Sequence, residues 1–328
     1  MGQGVKRLRR RTYALMLALG WMGLLWLVLW DAEAALTGAR AAVGRAGGGL
    51  TALTAGSVLD GFGSWSPDGK QIAFMRNGQI WVMPARGGEG RALTRREGMW
   101  DTAPAWHPQG GKIAWIRFSP DRSEAGILLL NLRGGPEREL IREAEPIGAL
   151  AWAPDGQSLY YTTATRLKRL DVTRRKAEPV LELDSSWDLL PGGLAISGDG
   201  RTAIFGAGRK TGGAQYDLWL LPLHTAGAVP EQLTRGGGIM PALDSTGRLL
   251  VYRNPRQRTG IYVMDLERHT TRQVVADEPG ALYFHPRFSP DGGRLLVSRL
   301  LLSASPSGGG QREFVSHLYV RRGAASGW

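Results

Sequence analysis

From about residue 50 to residue 322 the chain alternates short apolar runs with turn sequences. Ile72-Ala73-Phe74-Met75, Ile80-Trp81-Val82-Met83, Leu218-Trp219-Leu220-Leu221 and Leu295-Leu296-Val297-Ser298 are representative. Such runs are too short for amphipathic helices and are rich in aliphatic and aromatic residues, as strands are. A turn punctuates them, first as Ser66-Pro67-Asp68-Gly69. Proline presets φ, Asp bonds its own backbone, and Gly accepts positive φ. The unit recurs, and places its turn position at 68, 109, 155, 199, 245 and 291, in steps of 41, 46, 44, 46 and 46 residues. Each copy holds four strand-like runs, ending in short segments such as Arg91-Ala92-Leu93-Thr94. A period of this size predicts an all-β fold, a six-bladed β-propeller of four-stranded antiparallel blades.

The pattern also predicts how the ring closes. Leu50-Thr51-Ala52-Leu53-Thr54 matches the last strand of a blade, yet no blade precedes it. The sixth repeat runs to Leu318-Tyr319-Val320-Arg321-Arg322 with no such strand after it. Residues 50–54 are therefore expected to complete blade six and pair an open sheet edge. A tail, 323–328, follows.

Ahead of the repeats, residues 13–30 carry no charge, and as a helix would reach ~27 Å, close to a bilayer core. Lys6, Arg7, Arg9, Arg10 and Arg11, within a basic segment 1–12, precede this run. The expectation is one N-terminal transmembrane or signal helix at the cell membrane, N-terminus cytoplasmic and propeller extracytoplasmic. Ala32-Glu33-Ala34 offers a cleavage site that would make the protein secreted. Residues 31–49, rich in Ala and Gly, read as a linker.

The combination Trp-Ser-Pro-Asp-Gly-Lys, Ile-Trp-Val and Leu-Thr in residues 65–94 resembles the TolB-type Pro-Asp-Gly propeller repeat. It is also similar to the propellers that precede the hydrolase domain of prolyl-oligopeptidase-like enzymes. The resemblance spans roughly residues 50–322 and implies the propeller fold; propellers host many unrelated activities. TolB proteins carry an α/β domain before the propeller, which the nineteen residues 31–49 cannot encode.

Composition narrows function mainly by exclusion. The net charge is +12, but no basic helix or zinc spacing accompanies it, so nucleic-acid binding is not expected. With no Cys, disulfide and thiol chemistry are excluded. No Gly-x-Ser-x-Gly elbow, phosphate-binding glycine loop or His-Glu-x-x-His motif occurs, and no hydrolase domain is expected after residue 322.

Candidate site residues lie in the loops entering the innermost strands, at the channel rim: Asp60, Trp100, Asp101, Glu145, Trp187, Asp188, Tyr283 and His285. Carboxylates there suit a hard cation such as calcium; with aromatics they equally suit a sugar or a peptide amine. No cofactor is otherwise implied. His107 and His285, each before proline, read as packed rather than ligating. Asp68, Asp155, Asp199 and Asp291 recur at the blade period and read as turn formers, not catalysts. Turns lengthen at 119–124, 209–213 and 303–312. The expected function is a scaffold at the cell envelope that binds an envelope protein or peptide across one face. The alternative is binding of a small ligand, glycan or peptide at the channel rim, hydrolase or lyase activity, or service as the propeller subunit of a peptidase-like assembly.

Overall fold

The turns that punctuate the sequence close on themselves. Ser66 donates its hydroxyl to Asp68 at 2.6 Å and accepts the Gln71 N–H at 2.9 Å. The Gly69 N–H, at a φ of 67°, donates to the Ser66 carbonyl at 2.8 Å. Ser197 with Asp199 and Ser289 with Asp291 repeat the arrangement. Repeat five exchanges the two chemistries: Asp244 accepts the Thr246 hydroxyl at 2.6 Å and the Leu249 N–H at 2.9 Å. The Gly247 N–H closes on Asp244, so the turn position there is Thr246, one residue beyond the Ser245 read from the sequence. In repeat two, His107 Nδ1 accepts the Gln109 N–H at 3.2 Å in place of a hydroxyl.

A computed structural model describes residues 49–56, 58–95, 97–210, 215–225, 227–256, 259–304, 312–323 and 328. These form six four-stranded sheets. The innermost strands are Asp60–Trp65, Trp100–Trp106, Ala149–Trp152, Trp187–Ile196, Ile239–Leu243 and Ala281–Phe288. Each blade is covered by a neighbour on both faces, which is why the second strands are unbroken apolar runs rather than alternating ones; in Gln71–Arg76 the four central residues are all buried. The core is correspondingly a series of clusters between consecutive blades. Ile80 and Val82 of blade one meet Trp106 and Trp115 of blade two, and Trp65, Ile72 and Phe74 of blade one meet Leu296 and Leu318 of blade six. Tryptophans on the innermost strands add polar ties: Trp152 Nε1 donates to the Ala105 carbonyl of the preceding blade at 3.1 Å.

Closure follows the expected route. Leu50–Ala52 pairs antiparallel with Arg312–Arg322, Thr51 opposite Val320. Leu318 N–H donates to Thr54 Oγ1 at 2.9 Å, as Ile80 N–H does to Thr94 at 3.0 Å and Leu218 N–H to Thr234 at 2.9 Å. The Leu-Thr pair is thus the device that finishes a blade, and it recurs where the sequence repeats it.

The expected N-terminal helix is corrected. The described residues contain strands and turns, and no helix among them is long and apolar enough to cross a membrane. Their backbone groups are satisfied between strands, and the apolar segment 13–30 on which the expectation rested lies outside them. The basic segment 1–12 and most of the linker also lie outside.

Antiparallel pairing puts the start of each innermost strand beside the end of the second strand and the start of the third. The lengthened turn 119–124 joins second to third strand, between Lys112–Phe118 and Ala125–Asn131. It therefore shares one end of the disc with the predicted rim residues, opposite the Pro-Asp-Gly turns; most of 209–213 and 303–312 lies outside the described residues.

Candidate functional site

The rim carboxylates are mostly engaged. Asp60 is the first residue of its innermost strand and Asp101 the second of its own, and they are 1% and 2% exposed. Each stands in register with an arginine of the second strand, Asp60 opposite Arg76 and Asp101 opposite Arg117. Both pairs are bidentate, at 2.7 and 2.8 Å for Asp60 and 2.6 and 2.8 Å for Asp101. Arg117 also holds Glu137, at 2.5 Å, and burial notwithstanding these acids keep its guanidinium firmly charged. Glu145 pairs with Arg166 at 3.4 Å. Asp188 accepts the Tyr216 hydroxyl at 3.0 Å, and burial together with that carboxylate pushes the phenol up. Trp100 lies under Arg122 at 4.9 Å and Trp187 under Arg209 at 4.4 Å. Tyr283 is buried and donates to Glu278 at 3.0 Å. The carboxylates thus serve their own blades and do not converge on one point. Among the described residues, no three His, Asp or Glu side chains form a group that could hold a metal ion.

Nearer the axis the innermost strands share a second feature. Phe62, Ala103, Met240 and His285 have φ between 49° and 56°, and each lies six residues before its turn position. The ladder breaks there, between Gly61 and Ser64, Thr102 and Ala105, Ile239 and Ala242, and Phe284 and Arg287. Pro104, Pro241 and Pro286 follow three of these residues; lacking an N–H, proline loses nothing where the ladder is already interrupted. The bulges gather an apolar plug at the centre, where Leu190, Met240, Leu282 and Phe284 pack with Phe62. His285 joins it, its ring 3.9 Å from that of Phe62. Burial, reinforced by the charges of Arg287 and Arg253, pushes the His285 imidazole down to about 3, so it is neutral near pH 7.

Two residues further along lies the position that distinguishes this ring. Its six equivalents are Ser64, Ala105, Ala151, Ala195, Ala242 and Arg287. Five are small; the sixth is a half-buried arginine. Arg287 reaches toward blade five, donating from one guanidinium nitrogen to the Pro286 carbonyl at 3.0 Å and the Pro241 carbonyl at 3.4 Å. Among the described residues it has no carboxylate partner, and burial pushes it down to about 10. Arg253 by contrast is matched by Asp277 at 2.8 Å, and Arg299 by Glu278 at 2.8 Å. Sequence reasoning missed Arg287 because it searched the loops for acids, although aligning the six repeats at Ser64-Trp65 and its equivalents exposes it.

Comparison with known proteins places the fold more firmly than the chemistry. No family model matches the chain. A stretch is 29% identical to dipeptidyl-peptidase 5 of Porphyromonas gingivalis, covering 30% of this chain and 17% of that protein; the chain thus spans under a fifth of that relative's length. The fold is shared with a protein assigned as TolB from Agrobacterium tumefaciens, at 16% identity and a TM-score of 0.61, over 84% of this chain and 97% of that one. It is shared also with an oligogalacturonate lyase in complex with manganese, at 13% identity and a TM-score of 0.54, over 86% and 95% of the two chains. The chain is therefore a six-bladed propeller that shares its fold, at low identity, with TolB-like and lyase propellers. Among the described residues no donor set fits a resident manganese ion.

Proposed function

We propose that this protein binds a small carboxylate-bearing ligand in its axial channel, with Arg287 as the anchoring cation and the Phe62–His285 stack as the adjoining apolar wall. The observation that carries the reading is the single arginine in a ring of serine and alanine, held by carbonyl oxygens alone. An uncompensated cation in a poorly solvated site costs stability unless something anionic visits it, and the guanidinium fork matches a carboxylate in two hydrogen bonds. Likeness of fold to a lyase named for oligogalacturonate, a carboxylated sugar, supports an acidic ligand class; the peptidase segment match supports a peptide carboxylate in the same role.

Calorimetric titration with trigalacturonate, with a tripeptide bearing a free C-terminus and with their neutral methyl ester or amide forms tests this. One acidic ligand should bind and its neutral form should not, and Arg287→Leu should weaken binding at least tenfold. Equal binding of charged and neutral forms, or an unaffected Arg287→Leu variant, would refute it. A second reading, docking of a protein or peptide partner, is favoured by the lengthened turn 119–124 at the rim end of the disc, and shortening that turn should then reduce partner capture.

A further inference from the structure

The seam where the ring closes holds a second concentration of unmatched positive charge. A cleft of about 550 Å³ opens where the closing strand meets the end of blade six and the edge of blade one. Leu53 and Val320 supply apolar wall, and Arg86, Arg294, Arg321 and Arg322 surround it. Among the described residues no carboxylate lines it. That is unusual in this molecule, where Arg76, Arg117, Arg248, Arg253, Arg256 and Arg299 each hold an acid.

Four separate observations describe these arginines. Arg294 is anchored, lying over Trp65 at 4.5 Å and donating to the Gly69 carbonyl of blade one at 3.2 Å. One guanidinium nitrogen of Arg321 is buried without a hydrogen-bond partner. Burial, and the nearby charge of Arg272, pull Arg321 below the ordinary arginine range. Arg86 and Arg322 are exposed and join no ion pair among the described residues. Like charges brought together around a concave surface raise the local potential and gather counter-ions. Arginine forks match phosphate oxygens in pairs. The volume lies in the range of small-ligand sites and is larger than one phosphate needs.

We propose that this cleft is a binding site for an oligophosphate anion, a small ligand carrying two or more phosphate groups. Arg294 and Arg321 form its fixed side; Arg86 and Arg322 close over the ligand from blade one and blade six. Because Arg86 belongs to blade one and the other three to blade six, a bound anion ties the two blades across the seam and stabilises the closed ring by linkage. The site is independent of Arg287 and of the reading built on it.

Pyrophosphate titrated into the full chain at constant ionic strength, with sodium chloride as the balancing salt, tests the proposal. Thermal unfolding should rise saturably, by ~2–5 °C. Calorimetry at 25 °C should show one site. The double variant Arg86→Gln/Arg322→Gln, altered only at exposed positions, should lose at least tenfold in affinity by calorimetry, whatever its own Tm. Arg287→Leu should bind pyrophosphate as the parent does. A rise no larger than chloride produces, or undiminished calorimetric binding by the double variant, would overturn it.

Discussion

Asp101 and Arg287 are both charged side chains on innermost strands, and the molecule treats them oppositely. Asp101 receives two hydrogen bonds from Arg117, which in turn reaches Glu137. Arg287 donates to two carbonyl oxygens and, among the described residues, meets no acid. In a medium of low polarisability a charge with its counter-ion in place belongs to the architecture, whereas a charge without one is a cost that the fold alone does not require. The rim acids, which look chemical in the sequence, are on this argument structural. The arginine proposed to anchor a ligand, which looks incidental in the sequence, is the better candidate for function.

The largest effect expected from this contrast is at the matched pair. Arg117→Ala leaves Asp101 buried with no counter-ion and releases Glu137, and should lower the unfolding free energy by about 3–5 kcal/mol. The midpoint of urea unfolding measures it. A loss under about 1 kcal/mol would mean that water reaches Asp101 and that the rim acids are available after all. Arg287→Leu should act with the opposite sign, removing an uncompensated cation and raising stability by about 1–2 kcal/mol. If this variant is instead strongly destabilised, its two carbonyl contacts are architectural and the comparison fails.

Much of this was legible before the structure. The blade period shows because each Pro-Asp-Gly turn is a local device that needs no tertiary context, and Leu53-Thr54 announces closure because Thr94 and Thr234 stand in the same relation to their blades. Even the rim pairs left a trace: Asp60 and Arg76 are sixteen residues apart, as are Asp101 and Arg117, the distance across one inner hairpin. What hid them was reading loops singly rather than across the hairpin. Repeat five misled by one residue because Asp244 and Thr246 exchange acceptor and donor, so the carboxylate stands where a serine stands elsewhere. The seam cleft had no trace at all, since it joins Arg86 to Arg294 and Arg321 only after the ring has closed.

A neutral contact calibrates the scale of these charged ones. Thr54→Val deprives the Leu318 N–H of its acceptor at nearly constant volume, and should cost about 1 kcal/mol. Thr94→Val should cost a similar amount through Ile80. Equal losses in urea unfolding would show that the seam blade is held no more weakly than a blade made of one continuous segment. A much larger loss for Thr54→Val would locate the first opening of the ring at the seam.

The last effect is a slope. His285 is held down to about 3, by burial first and by Arg287 and Arg253 next, against about 6.5 in an unfolded chain. The native state therefore stays neutral at this ring while the unfolded state takes up a proton, so this part of the stability is complete above pH 6.5 and declines as pH falls from there toward 3. His107 adds in the same direction: Nδ1 accepts from Gln109, Nε2 faces the Gly156 carbonyl at 3.1 Å, and burial lowers its pKa. Between pH 6.5 and 5, above most carboxylate titrations, the urea midpoint should fall measurably. Arg287→Leu removes one of the charges opposing protonation of His285 but not the burial, so the His285 resonance should titrate at a higher pH and the decline in stability should level off at a higher pH. An unchanged titration would place the Arg287 charge out of reach of the plug, in channel solvent, where an anion would gain little by meeting it.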